Sequence, residues 1–483
     1  MSSSSLPPLD LKNVQGDILT GGLPKKTETF YFFQIEPAYV RDFRTQLTQL
    51  LPLITTTAEV LNEQIPKITQ SKKDAAEQGK APRILEMSGV NIAFTHKGLI
   101  LMGITDEIGD SAFDAGMLAG AAALGDKGTT SASGEFIPNW VPAFKHDIHG
   151  VILITGDRHE TVDRKLAQIE NIFCVGAHNA LIHEVYRTVG DVRPGKEKGH
   201  EHFGFMDGIS NPAVQDVTTN PFPGQETIPQ GIVLLGREGD APTIGTPPKP
   251  VTRPPWALDG SFLTFRYLFQ LVPEFNSFLE HNPIPEVPDR ELGSELLGAR
   301  LVGRWKSGAP IDITPTQDDP DLGGTQIETT TSALLFPATR LIKTDALSRR
   351  TSNATTSRRI VRAGIAFGPE VTDVEKNGTL YGRGLLFAAY QSNLVNGFQF
   401  LQQSWANNTS FPPKKGTPGF DPIIGQAPDG GPRTMSGTNP NNQTTELYLP
   451  QEWVVPKGGE YFFSPSIPAL KETFALAASK SEL

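Results

Sequence analysis

Asp207 stands among apolar residues in HEHFGFMDGISNPA, residues 200–213, on a loop that Gly204 and Gly208 leave free to turn. A carboxylate flanked by Phe203, Phe205, Met206 and Ile209 is costly to bury, so it either reaches water or has a proton to move. A cation that could answer it, Arg362, lies in RRIVRAGIAFGPE, residues 358–370. If that stretch is a strand, Arg362 shares a face with Ile360 and Gly364 and needs an anion there, unless its stem packs while its head reaches the surface. Two more stretches could serve a ligand. In His200-Glu201-His202 the imidazoles could converge on one ion if the chain is extended, a site that would still need a third ligand. A hydrated loop with two surface histidines accounts for the same residues. In GRGLLFAAYQS, residues 382–392, Leu385 and Phe387 share a face that suits either a core or the wall of a pocket for a large flat ligand.

Elements able to position these residues are legible in the periodicity. Short apolar runs separated by glycine and proline predict strands at 27–36, 89–103, 149–157 and 260–272. In the last, Leu263, Phe265, Tyr267, Phe269 and Leu271 share one face. Spacing of the helical kind predicts helices at 40–54 and 159–173. Leu394, Phe398, Leu401 and Trp405 recur with the same period, which turns Trp405 towards a core rather than the surface. Strand, helix, strand, strand recurs twice, giving an antiparallel α+β chain with an N-terminal domain at 8–190 and a C-terminal domain at 191–483, the second broken by a Pro/Gly-rich segment at 222–256.

Bulk properties exclude several functions. The 483 residues are 38% hydrophobic, ample for a large core, and the net charge of -10 is spread without a basic patch for nucleic acid. With the single cysteine, Cys174, no internal disulfide can form. The N-terminus has no basic region followed by an apolar one, so no secretory signal is visible, and the expected location is cytoplasmic or reached by unconventional release, with extracellular as the alternative. AGMLAGAAALG, residues 115–125, is too short to span a bilayer, so no membrane partner is expected. Sequons at Asn353, Asn377, Asn407, Asn408 and Asn442 matter only in a secretory pathway.

GFMDGISNP closely resembles the GxxDG signature of the dye-decolorizing peroxidases, fungal members above all. The likeness extends to DLKNVQGDIL (10–19), DIHGVILITGD (147–157), LLGARLVGRWKSGAPI (296–311), RRIVRAGIAFGPE and GGEYFFSPSI (458–467), covering nearly the whole chain. The resemblance implies two ferredoxin-like α+β domains with antiparallel sheets and peripheral helices, barrel-like in outline, and haem b held in the C-terminal half. It implies hydrogen peroxide as oxidant and dyes and phenolic compounds as reductants, the bulkier ones oxidised at the surface. Asp207 matches the acid-base group that moves a proton between the oxygens of peroxide, and Arg362 the cation that stabilises the charge developing as the O–O bond breaks. Gly208, Ile209, Arg362, Leu385 and Phe387 match residues around the haem.

At one point the resemblance fails. The family's iron is held by a histidine in a segment resembling CPF, two residues and HIRKT, whereas residues 329–350 here read TTTSALLFPATRLIKTDALSRR, with Thr339 or Arg340 at the ligand's place. Cys174 offers a thiolate, but nothing in the sequence brings it to the pocket. Three explanations compete: a relative that keeps the scaffold without the chemistry, another residue as axial ligand, or a misread stretch of coding sequence. Loss of one contiguous block between intact flanks favours the third, and resequencing the transcript tests it. Until then the metal ligand is unknown, and a catalytically impaired haem- or small-ligand-binding scaffold stands as the alternative function.

Overall fold

Eight of the nine residues of β1 (Thr27–Ile35) are buried, the sign of a strand covered on both faces. The computed structural model describes residues 6–19, 21–222, 224–244, 249–323, 356–411, 419–427, 433–442 and 444–476. β1 runs antiparallel between β3 (Gly150–Gly156) and β4 (Ile182–Asp191), and β2 (Ser88–Phe94) pairs with β3 on its other side. In the C-terminal half β5 (Ser261–Gln270) is central. It is flanked by β8 (Gly384–Gln391) and β9 (Val454–Ser464), while β6 (Val361–Arg362) and β7 (Ile365–Phe367) pair with the outer edge of β8. A single pairing, Phe463 opposite Phe94, joins the two halves into one nine-stranded sheet, whose ladder does not close into a barrel among the described residues.

Helices lie at the periphery. Phe43, Leu47 and Leu50 bury one face of α1 (Val40–Leu50), and Val162, Leu166 and Ile169 do the same for α2 (His159–Ile172). The helix expected to reach residue 54 tightens at Leu51–Leu53, where Pro52 removes a backbone donor. The strand expected at 89–103 ends at Phe94: Thr95 accepts a hydrogen bond from Gly98 N and caps a helix, His96–Leu101. An apolar run of that length satisfies either period, and the cap decides it. No helix among the described residues is long and apolar enough to cross a membrane.

Two cores result. The larger fills the space between the half-sheets with aromatic rings: Phe265 of β5 lies 4.9 Å from both Phe30 and Phe32, centroid to centroid, and 5.8 Å from Phe144. The smaller is built by α3 (Val272–His281) and α4 (Arg290–Val302) with Trp305, Trp453, Phe203 and Phe205. Phe265 is fully buried at the meeting of three rings, so Phe265→Ala should cost about 3–5 kcal/mol. A shift of the denaturant midpoint at unchanged slope measures it, and a loss under about 1 kcal/mol would show that the rings repack.

Candidate active site

Phe203 and Phe205 point down into the smaller core, where Phe203 lies 4.5 Å from Phe275. Positive φ at Gly204 (94°) and Gly208 (79°) turns the chain at either end of this step, and Met206 and Asp207 stay exposed while lining a cavity that Phe203 and Phe205 line as well. Asp207 is therefore exposed rather than buried among the aromatics. Its Oδ1 accepts from Gly208 N at 2.6 Å and from Arg362 Nη1 at 2.7 Å, so the anion that Arg362 required is Asp207 itself. Both contacts fall on Oδ1, which leaves Oδ2 without a hydrogen bond among the described residues.

Arg362 sits at the sheet edge, on β6, and Asn211 fixes it there. The Asn211 side chain donates from Nδ2 to Arg362 O at 2.9 Å and accepts from Arg362 N at Oδ1 at 3.0 Å, pairing with the backbone as a neighbouring strand would. Asn211 lies within the GFMDGISNP match, yet its role was not legible, since nothing in the sequence says which backbone an amide will meet.

Glu201 is the second residue whose part was missed. Its Oε1 accepts from Phe205 N at 2.8 Å and its Oε2 from Phe203 N at 2.9 Å and Gln270 Nε2 at 2.5 Å, tying the loop to itself and to β5. Arg193 donates to Glu201 O at 2.6 Å while gripping Glu370 with two further bonds. Desolvation pushes the Glu201 carboxyl up to about 7, with the Asp207 charge a smaller contribution in the same direction. The pair of histidines beside it does not converge on an ion. His202 is buried, donates from Nε2 to Phe367 O at 2.8 Å, and is pushed down to about 4 by burial; His200 lines a separate outer cleft. No group of three or more metal-ligating side chains exists among the described residues. The alternative of two surface histidines also fails, because His202 is needed to hold β7.

Asp207, Gly208, Ile209, Arg362, Leu385 and Phe387 all line one cavity, brought together from three distant stretches. Its other walls include Phe203, Phe205, Met206, Leu268, Val302, Ile423, Ile424 and Val454, with Glu201, Ser210, Gln270 and Arg304 as polar members. On the far side of the Asp207–Arg362 pair lies the outer cleft, about 830 Å³, which reaches His200, Asn211 and Phe222. The acid and the cation thus stand between an apolar interior and an opening to solvent. Trp405 is buried as its periodicity required, within the helix Val395–Ala406.

A family model described as the DyP dimeric alpha+beta barrel domain matches residues 13–194. A dye-decolorizing peroxidase of Mycena epipterygia is 42% identical over 509 residues, covering 98% of this chain and 88% of the relative. The chain belongs to the dye-decolorizing peroxidase family. A solved ancestral D-type dye-decolorizing peroxidase is 55% identical with a TM-score of 0.85, covering 97% of this chain and all of that one. Another solved dye-decolorizing peroxidase, in complex with 2,6-dimethoxyphenol, is 40% identical with a TM-score of 0.80, over 97% of this chain and all of its own.

The family is haem-dependent, and most of the cavity suits such a group. Leu385, Phe387, Ile423, Ile424 and Val454 would present apolar surface to a flat macrocycle, and Arg362 and Arg304 would offer cations to its carboxylates. Donor chemistry for the iron is another matter. None of the nine histidines lines the cavity, nor does Cys174. The stretch 329–350, where the family's imidazole belongs, lies outside the described residues and carries no histidine.

The raised Glu201 carboxyl has a consequence for stability. A carboxyl group that holds its proton more tightly in the folded state stabilises fully below its ordinary value near 4.5, and that contribution disappears as pH rises through about 7. Relative to Glu201→Gln, the natural chain should lose about 2 kcal/mol between about pH 5 and pH 8, whatever constant offset the amide introduces. Melting temperatures of both proteins across that range test it, and parallel curves would mean that the carboxyl is not desolvated.

Proposed function

We propose that this chain reduces hydrogen peroxide and draws the electrons from dyes and phenolic compounds, with haem b in the cavity beneath Asp207 and Arg362. The pairing of that acid and that cation at the boundary between an apolar cavity and an open cleft carries the reading. Leu385, Phe387, Gly208 and Ile209 would hold the macrocycle, and Arg362 and Arg304 its carboxylates. Haem, when bound, would supply a redox centre that gives peroxide two electrons together and recovers them one at a time from the organic reductants.

The chain's own residues supply the protons and the charge. Peroxide takes up two electrons and two protons and leaves as two waters, so a proton must move from one of its oxygens to the other as the O–O bond breaks. Asp207 is suited to this, since Oδ1 is held by Gly208 N and Arg362 while Oδ2 is open to take the proton and return it. Arg362, its backbone held on both sides by Asn211, keeps a fixed positive charge where the departing oxygen becomes negative. The outer cleft admits peroxide from solvent to this pair, and small phenols of the kind bound by the solved relative fit the same approach. Larger dyes are oxidised from the protein surface.

Asp207→Asn should keep the fold, because a part-exposed ion pair contributes at most about 1 kcal/mol, yet lower peroxide turnover by about 10²- to 10⁴-fold. Arg362→Leu should slow the same step. Stopped-flow consumption of peroxide, with melting curves as the control for folding, measures both; unchanged turnover in either variant removes that residue from the chemistry.

One observation favours a second reading, a scaffold that binds haem or a small ligand without turnover: the missing imidazole in residues 329–350. Haem titrated into the purified chain separates the two. A Soret band that forms without additives and changes on addition of peroxide supports the peroxidase. A band that forms only when free imidazole is supplied means that the chain lacks its own axial donor and that the scaffold reading holds.

A further inference from the structure

Met206 immediately precedes Asp207 and lines the same cavity. Of the chain's six methionines, Met102, Met117 and Met435 are at most 2% exposed, whereas Met206 is 37% exposed. Its backbone is pinned, donating from N to Lys306 O at 3.2 Å and bridging to His200, so the thioether cannot swing away with the loop. The sulfur packs on this side near Gly308, 3.3 Å from where a side chain there would begin and beside Ile209 Cδ1 and the Gly323 carbonyl, so its exposed part faces the cavity side.

We propose that Met206 is a modification site, oxidised to the sulfoxide by the peroxide that Asp207 handles. This rests on the reading of Asp207 given above. The thioether lone pair attacks one peroxide oxygen, the S–O bond forms and the O–O bond breaks. The sulfur is oxidised by two electrons, and the departing oxygen, reduced by the same two, needs a proton to leave as water. Asp207 takes the proton from the oxygen that becomes bound to sulfur and returns it to the departing oxygen, so the carboxylate is regenerated and no other reactant is required. The product replaces a flexible apolar wall by a polar, chiral one. When organic reductant runs short, Met206 becomes the reductant, and the cavity changes its lining as a result.

Peptide mass spectrometry of the chain after brief exposure to hydrogen peroxide tests this, with or without haem. Met87, partly exposed on the rim of a groove remote from Asp207, is the control for simple accessibility. Met206 should gain oxygen about ten-fold faster than Met87, and Asp207→Asn should remove most of that advantage. Oxidation of Met206 no faster than of Met87 overturns the proposal, and an advantage undiminished in Asp207→Asn overturns the part assigned to Asp207. Peroxide consumption in the same samples keeps the two ideas apart. Turnover lost in Asp207→Asn while Met206 stays unmodified in the natural chain sinks only this inference, whereas turnover unchanged in Asp207→Asn sinks the reading on which it rests.

Discussion

The bond between Asp207 and Arg362 joins residues 155 apart in sequence, and the geometry of the site depends on their meeting. The bond itself is weak. With side chains 34% and 17% exposed, the pair is solvated enough to contribute at most about 1 kcal/mol, too little to draw two loops together. Precision comes instead from polar contacts behind it. Asn211 pairs with both backbone atoms of Arg362, Glu201 gathers Phe203 N, Phe205 N and Gln270, and Arg193 holds the Glu201 carbonyl. Each would leave a buried partner unsatisfied if it slipped, and that penalty exceeds what the ion pair could enforce.

The same arrangement explains how an acid can stand in a run of aromatics. Phe203 and Phe205 anchor the loop in the smaller core, and between the turns at Gly204 and Gly208 Met206 and Asp207 stay exposed. The hydrophobic residues do not bury the carboxylate; they fix the base from which it projects. Burial falls on Glu201 instead, whose raised protonation is the cost of organising the loop with a side chain rather than with a regular element.

Periodicity revealed most of what periodicity controls. β1, β3, β5 and both peripheral helices lie within a few residues of their expected positions, whereas strand alternation alone left Arg362 open between an inward cation and one reaching the surface. Residues 89–103 misled because an apolar run fits either period and a single capping threonine settles the matter. Asn211, Gln270, Arg304, Ile423 and Ile424 were not legible as site residues, since each matters through a partner far away in sequence. The HEH cluster misled for a related reason. Its spacing suits a metal, but the fate of His202 depends on the Phe367 carbonyl, which local sequence does not reveal.

What remains distinctive is how much of the Asp207–Arg362 side of the cavity is organised by one short loop. Among the described residues, the contacts that position Asp207, Arg362, Asn211 and Glu201 come from the loop 199–212, from β5 and β6, and from Arg193. The chain leaves the described region at Gly323, whose carbonyl lies beside Gly308 next to Ile209 and Met206, at the margin of the cavity. The Asp207–Arg362 contact and a donor for the iron are two separate requirements of the peroxidase reading, and no histidine or cysteine among the described residues that line the cavity meets the second.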